Sequence, residues 1–126
     1  MAFLRAFGSW LPQRRVSNKE LAPLVDATPE WILEVSGIEE RRYAAKTDTV
    51  AGIGVLAAQD CLENAGATVA EVGMILVASG SSDRFCPGPA SQVAAGLGAG
   101  GSLLSISPSF PDSQSCARVT VSPILV

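Results

Sequence analysis

Few side chains in this 126-residue sequence can do chemistry. Three are thiols, Cys61, Cys86 and Cys116, and histidine is absent altogether. A thiolate is a strong nucleophile, but forming it near neutral pH needs a base or an electropositive setting. Without imidazole, the Ser-His-Asp and Cys-His arrangements are closed to this chain acting alone. Acid–base work falls to carboxylates, lysine, tyrosine or thiol. The cysteines are odd in number and irregularly spaced, which fits neither a disulfide framework nor a zinc site, so no metal is expected. Cys61 lies within a helical pattern beside Leu62 and reads as a small packing residue. Trp31 offers an indole face that suits base stacking or the packing of a short helix. Arg41 and Arg42 suit phosphates or acidic side chains, or a solvated surface. The glycines of GLGAGG at 96–101 follow a helix and precede no lysine, so they do not form a phosphate loop.

The elements that would position these residues can be read from pattern. Hydrophobic residues make up 48% of the chain and charged ones 17%, enough apolar content to bury a core. The net charge of −3 argues against binding led by nucleic-acid phosphates. Arg5 interrupts the first apolar run, and no stretch reaches the ~20 residues of a spanning helix, so a cytoplasmic protein is expected. Residues 3–8 read as a short opening strand. Ser17-Asn18-Lys19-Glu20 has the form of a capping box for a helix running to about Val25. Thr28-Pro29-Glu30 starts a second helix carrying Trp31, Ile32, Leu33 and Val35, and Gly37 ends it.

Ile38–Tyr43 is charged and loosely alternating, which predicts an exposed strand or loop. Asp48 or Thr49 opens the longest helix, which Gly66 closes. Gly52 and Gly54 inside it imply close packing. A single-turn capping box at Thr68–Glu71 precedes Met74–Ala78, an apolar run expected to be a central strand covered on both faces. Pro89–Leu97 is a small-residue helix stopped by Gly98. Helix, buried strand and helix in this order predict a layered α/β architecture. Residues 102–126 are rich in serine and proline and show no sustained period. They are set apart as a tail, or as sequence foreign to the fold before them.

Several segments, taken in order, resemble the N-terminal part of a β-ketoacyl-acyl-carrier-protein synthase III of the thiolase superfamily. They are GSWLP at 8–12, VSNKELAPLVDATPEWILEVSGIEERR at 16–42, ENAG at 63–66, MILVASGSSDRF at 74–85 and CPGPASQVAAGLGA at 86–99. The resemblance covers roughly residues 3–100. It implies an α/β fold that is the incomplete N-terminal portion of a thiolase-like layered α/β/α fold. Residues 1–101 are then a partial domain, and 102–126 a divergent tail, truncated or out of frame.

The resemblance implies an acyltransferase of fatty-acid biosynthesis that condenses an acyl-coenzyme A primer with malonyl-acyl carrier protein. Its partners are those two substrates and a second copy of itself, with neither nucleic acid nor membrane. Coenzyme A enters as part of the substrate, and no separate cofactor is implied. In the family a cysteine thiolate at a helix N-terminus takes the acyl group, and a histidine and an asparagine assist decarboxylation.

This chain lacks the histidine, and the expected nucleophile position falls near Phe110-Pro111. Cys116, in QSCARV, has neither the following glycine nor the small-residue helix, so no residue is assigned as catalytic and the chain alone is expected to be inactive. By resemblance Trp31 stacks on the adenine of coenzyme A, although the family's basic residue four positions later is Val35 here. Phe85 and Cys86 fall where the family lines its acyl pocket across the dimer. The alternative reading is a non-catalytic α/β interaction module that binds coenzyme A, a carrier protein or a synthase subunit.

Overall fold

A computed structural model describes residues 3–80 and 86–106, the last five as backbone only. The chain divides into two compact units, Leu11–Thr47 and the combination of Met1–Trp10 with Asp48–Val126.

The smaller unit contains β1 (Arg14–Ser17), α1 (Asn18–Leu21), α2 (Pro29–Ser36) and β2 (Glu40–Tyr43). β1 and β2 pair antiparallel, with Arg14 opposite Tyr43 and Ser17 opposite Glu40. Ser17 caps α1 by accepting the Glu20 N–H. The helix expected to reach Val25 leaves α geometry after Leu21 and tightens into a 3-10 turn at Ala22–Leu24. Pro23 has no N–H to give an i−4 carbonyl, so the α ladder cannot continue there. Thr28 caps α2 and Gly37 closes it in the left-handed conformation, as the sequence predicts. β2 is the exposed strand expected within Ile38–Tyr43, whereas β1 falls on a segment noted only for its basic pair.

The larger unit contains α3 (Val50–Ala65), β3 (Met74–Ala78), α4 (Pro89–Leu97) and β4 (Ser102–Ile106). β3 and β4 are parallel neighbours, with Met74 opposite Ser102 and Ala78 opposite Ile106, and α4 forms the connection between them. Ala51, Ile75, Val77, Ala90, Val93 and Ala94 make the buried core. The α3–α4 contact runs at near-backbone distance. A Cβ added at Gly54 would stand 2.9 Å from Val93, and one added at Gly96 would stand 2.6 Å from Val55. Each helix thus uses a glycine where the other carries a valine.

Four expectations change. Residues 3–8 form no strand; their backbone is tied to α3 instead, through Asn64 Nδ2 donating to the Phe7 carbonyl at 3.0 Å. Gly52 is exposed and touches only its own cap, Thr49, so of the two helix glycines only Gly54 marks close packing. Among the described residues β3 is well covered on one face, and on the other only Leu76 is half-buried. Ile75 and Val77 are buried, while Met74 and Ala78, which project from the opposite face, are exposed. Finally, residues 102–106, set apart with the tail in the sequence, extend the sheet as β4. Two serines in SLLSI remove the apolar alternation that marks a strand. Residues 107–126, Cys116 included, lie outside the described residues.

Candidate functional site

The sequence of α2 determines how it displays Trp31. Thr28 Oγ1 accepts the Trp31 backbone N–H at 3.2 Å, and Pro29 occupies the first turn, where a missing N–H costs nothing. The Gly37 N–H returns to the Leu33 carbonyl at 2.7 Å. Between these stops the helix buries one residue, Ile32. Trp31 is 55% exposed, and Val35, four residues on and therefore on the same side of the helix, is 66% exposed. A tryptophan that packed its helix into a core would hide its ring. This one leaves more than half of its surface open.

The arginines do less than their charge promised. Arg41 donates to Asn18 Oδ1 at 2.7 Å and to Ser36 Oγ at 3.3 Å. Arg42 donates to the carbonyl oxygens of Pro12 and Gln13, at 3.1 and 3.4 Å. Both guanidinium groups are therefore engaged inside the smaller unit and partly buried. Arg15 pairs with Glu40 at 3.3 Å, and the Arg14 guanidinium lies 5.9 Å from the centre of the Tyr43 ring.

The thiols fall into different settings. Cys61 is fully buried on α3. Burial, followed by the neighbouring Asp60 carboxylate, pushes its pKa up, so it stays a thiol and is a poor nucleophile. The packing role expected for it holds. Cys86 is exposed just ahead of α4. Phe85 lies outside the described residues. Trp31 and Cys86 belong to different units. Among the described residues no cluster of histidine, cysteine or carboxylate groups could hold a metal, and no helix is long and apolar enough to cross a membrane.

Sequence reasoning passed over two residues. The sequence marks Asn18 only as part of the capping-box motif and does not single out Ser36. Asn18 is 7% exposed and its amide is bonded at both ends. Ser36 Oγ donates to the Ile32 carbonyl and accepts from the Ile38 N–H at 3.2 Å. Asn18 is bonded to residues 20 and 23 positions away, and Ser36 is bonded to Arg41 on the following strand, so no local pattern in the sequence points to either.

Curated relatives align with most of the chain. A β-ketoacyl-[acyl-carrier-protein] synthase III of Sphingopyxis alaskensis is 46% identical over 98 residues, covering 78% of this chain and 30% of the relative. The Vibrio vulnificus β-ketoacyl-[acyl-carrier-protein] synthase III 1 is 38% identical over 110 residues, covering 87% of this chain and 33% of the relative. The crystal structure of 3-oxoacyl-[acyl-carrier-protein] synthase III from Aquifex aeolicus superposes with a TM-score of 0.79 at 30% identity, covering 86% of this chain and 35% of that one. The enzyme from Thermus thermophilus superposes at 0.75 with 27% identity, covering 83% of this chain and 33% of that one. No family model matches the chain. The chain spans about a third of the length of the relatives it matches.

Proposed function

Starting from a chain that is a partial β-ketoacyl-[acyl-carrier-protein] synthase III segment, with the mixed α/β fold of part of those thiolase-like enzymes, we propose that it supplies the coenzyme A-facing platform of such an acyltransferase and none of its bond-making groups. The whole enzyme of this reading is cytoplasmic and homodimeric. It condenses an acyl-coenzyme A primer with malonyl-acyl carrier protein, which starts a fatty-acid chain. Coenzyme A arrives as the carrier of the primer, not as a resident cofactor.

The observation that carries this reading is Trp31, held at the capped start of α2 with more than half of its surface open. A broad indole face can stack on adenine whatever the acyl group beyond it, because stacking uses the ring surface and not the hydrogen-bonding edge. Val35 one turn later adds apolar surface in place of a cation, so stacking carries more of the recognition here than phosphate pairing does. By the sequence resemblance, Phe85 and Cys86 correspond to the acyl-pocket wall at the dimer contact, and Cys86 is exposed ahead of α4. A cysteine there changes pocket width, and with it the length of primer accepted.

No histidine is present to assist decarboxylation, and Cys61 is buried as a thiol. The chain by itself therefore binds without condensing. Titration with coenzyme A tests this. Trp31→Ala should weaken binding by roughly 1–2 kcal/mol, the scale of one base on one aromatic ring. Equal affinity for the two chains would refute the platform. Protein-dependent release of free coenzyme A from acetyl-coenzyme A and malonyl-acyl carrier protein, lost in Cys116→Ala, would refute the passive role.

A further inference from the structure

α2 has little apolar reason to sit at one rotation about its axis. Of its eight residues only Ile32 is buried, while Trp31, Leu33 and Val35 all lie open. A helix held by a single apolar side chain can roll, and rolling would redirect the indole. Directed polar bonds are what remain to fix it.

Those bonds form one connected set. Asn18, buried at the start of α1, donates through Nδ2 to the Ile38 carbonyl at 2.8 Å and accepts Arg41 Nη1 at 2.7 Å. Arg41, on β2, donates through Nη2 to Ser36 Oγ at 3.3 Å. That hydroxyl also accepts the Ile38 N–H at 3.2 Å and donates its own proton to the Ile32 carbonyl. A hydroxyl has one proton to give and two lone pairs, so Ser36 is used to capacity. The last bond closes on the residue next to Trp31. Three elements, α1, β2 and the last turn of α2, are thereby tied through one guanidinium whose forked donors reach two acceptors at once.

We propose that Asn18, Arg41 and Ser36 form a positioning latch that fixes the orientation in which α2 presents Trp31 to an adenine ring. The proposal rests on the reading of Trp31 as the adenine platform, but the latch itself has a readout that needs no ligand. Lysine in place of Arg41 keeps the charge and loses the planar fork, so it cannot bridge both acceptors in the same geometry. Threonine in place of Ser36 keeps the hydroxyl, whereas alanine removes it.

The test uses the full chain. Amide exchange is followed by NMR and coenzyme A binding by titration calorimetry, which needs no fluorophore and so also reads Trp31→Ala. Ser36→Ala and Arg41→Lys should each cut protection of the α2 amides roughly tenfold, the scale of a lost bond to a charged group. Protection in α3 and α4 should not change, which shows that both variants remain folded. Ser36→Thr should restore α2.

Affinity for coenzyme A should fall about threefold in Ser36→Ala, in proportion to the fraction of chains with α2 out of place. Unchanged α2 exchange in both variants would overturn the latch, as would failure of threonine to rescue. Loosened α2 with undiminished coenzyme A affinity would overturn its presenting role, provided that Trp31→Ala still weakens binding. If Trp31→Ala binds as tightly as the parent chain, the adenine platform fails, and the exchange data still decide the latch.

Discussion

The two units of this chain are held together by different physics. In the larger one, α3 and α4 meet through alanine, glycine and valine, and Ala57, Cys61 and Val93 have no exposed surface left. In the smaller one the buried apolar residues are Pro12, Val16, Ala22 and Ile32, and the chain is ordered by caps, an antiparallel strand pair and the Asn18–Arg41–Ser36 bonds. Apolar burial grows with area and tolerates small shifts, at about 25 cal/mol per Å². A hydrogen bond is worth about 1 kcal/mol net, somewhat more to a charged group, and is lost once its angle fails. The surface that presents Trp31 therefore stands on contacts that single polar substitutions can remove. The apolar unit is vulnerable only where a side chain is too large or too small.

The sharpest way to break this contrast is to add one methyl group to each unit. At Gly8 a Cβ would lie 2.2 Å from the Cys61 backbone nitrogen and 2.5 Å from the Ala57 carbonyl oxygen, and neither backbone atom can step aside. Gly8→Ala should destabilise the larger unit by about 3 kcal/mol, the upper end for overpacking. It should also open Cys61 to alkylation under conditions where that thiol is protected in the parent chain. Gly37 has open space around it but a φ of +65°. Gly37→Ala should cost only about 1 kcal/mol, the left-handed penalty of one residue, and leave Cys61 protected. Equal costs, measured by denaturant titration, would abolish the distinction.

Next in size is the interlock of α3 with α4. Gly54→Ala alone presses a methyl to within 2.9 Å of the Val93 side chain, a β-branched residue with little freedom to turn. Val93→Ala alone opens a void at a site with no exposed surface. Each single change should destabilise, and the double variant should recover about 1 kcal/mol relative to their sum, since the new methyl fills the space the valine leaves. Strict additivity would mean that the helices move apart freely instead of interlocking.

How much of this was legible in the sequence follows the same division. Helices with chemical start and stop signals were read closely: Thr28 and Gly37 bound α2, Thr49 and Gly66 bound α3, and Gly98 ends α4. These residues act through local backbone bonds, which spacing reveals. β4 was missed because its strand character comes from pairing with β3, a partner 28 residues earlier in register, and not from its own pattern.

The uneven cover of β3's two faces was missed for a related reason. MILVA is apolar throughout, so periodicity cannot tell one buried face from two. At the site, motif context pointed to Trp31, which lies exposed on α2. Asn18 and Ser36 stayed invisible because their bonds depend on where the pairing of β2 with β1 brings Arg41.

Cap removal gives a smaller and more even comparison. Thr49 Oγ1 accepts the Gly52 N–H at 3.0 Å in the larger unit, and Thr28 Oγ1 accepts the Trp31 N–H at 3.2 Å in the smaller. Alanine at either position should cost about 1 kcal/mol, the usual worth of an N-cap. The consequences should differ in kind. On the proposed reading of Trp31, Thr49→Ala should lower the midpoint of the larger unit's unfolding and leave coenzyme A affinity unchanged. Thr28→Ala should fray the turn that carries Trp31 and weaken that affinity. Identical binding in the two variants would show that the start of α2 does not govern the indole.

The smallest effect expected is electrostatic and belongs to the larger unit. Glu71 closes the single-turn capping box ahead of β3, and its Oε2 accepts the Thr68 N–H at 2.7 Å and the Thr68 hydroxyl at 3.2 Å. The Arg5 guanidinium lies 3.5 Å from its other oxygen. The backbone bond first, then the hydroxyl and Arg5, favour the carboxylate and hold its pKa below the ordinary value of 4.5. A carboxyl whose folded pKa is depressed binds fewer protons folded than unfolded as pH falls through this range. Its contribution is therefore complete above the ordinary value and is lost on acidification through the lowered one. Glutamine keeps an acceptor for the box but has no proton to bind. Glu71→Gln should thus flatten the acid limb of the stability–pH curve and change little at neutral pH, because the group is exposed and solvent screens it. A parallel downward shift at every pH would instead assign Glu71 a purely geometric role.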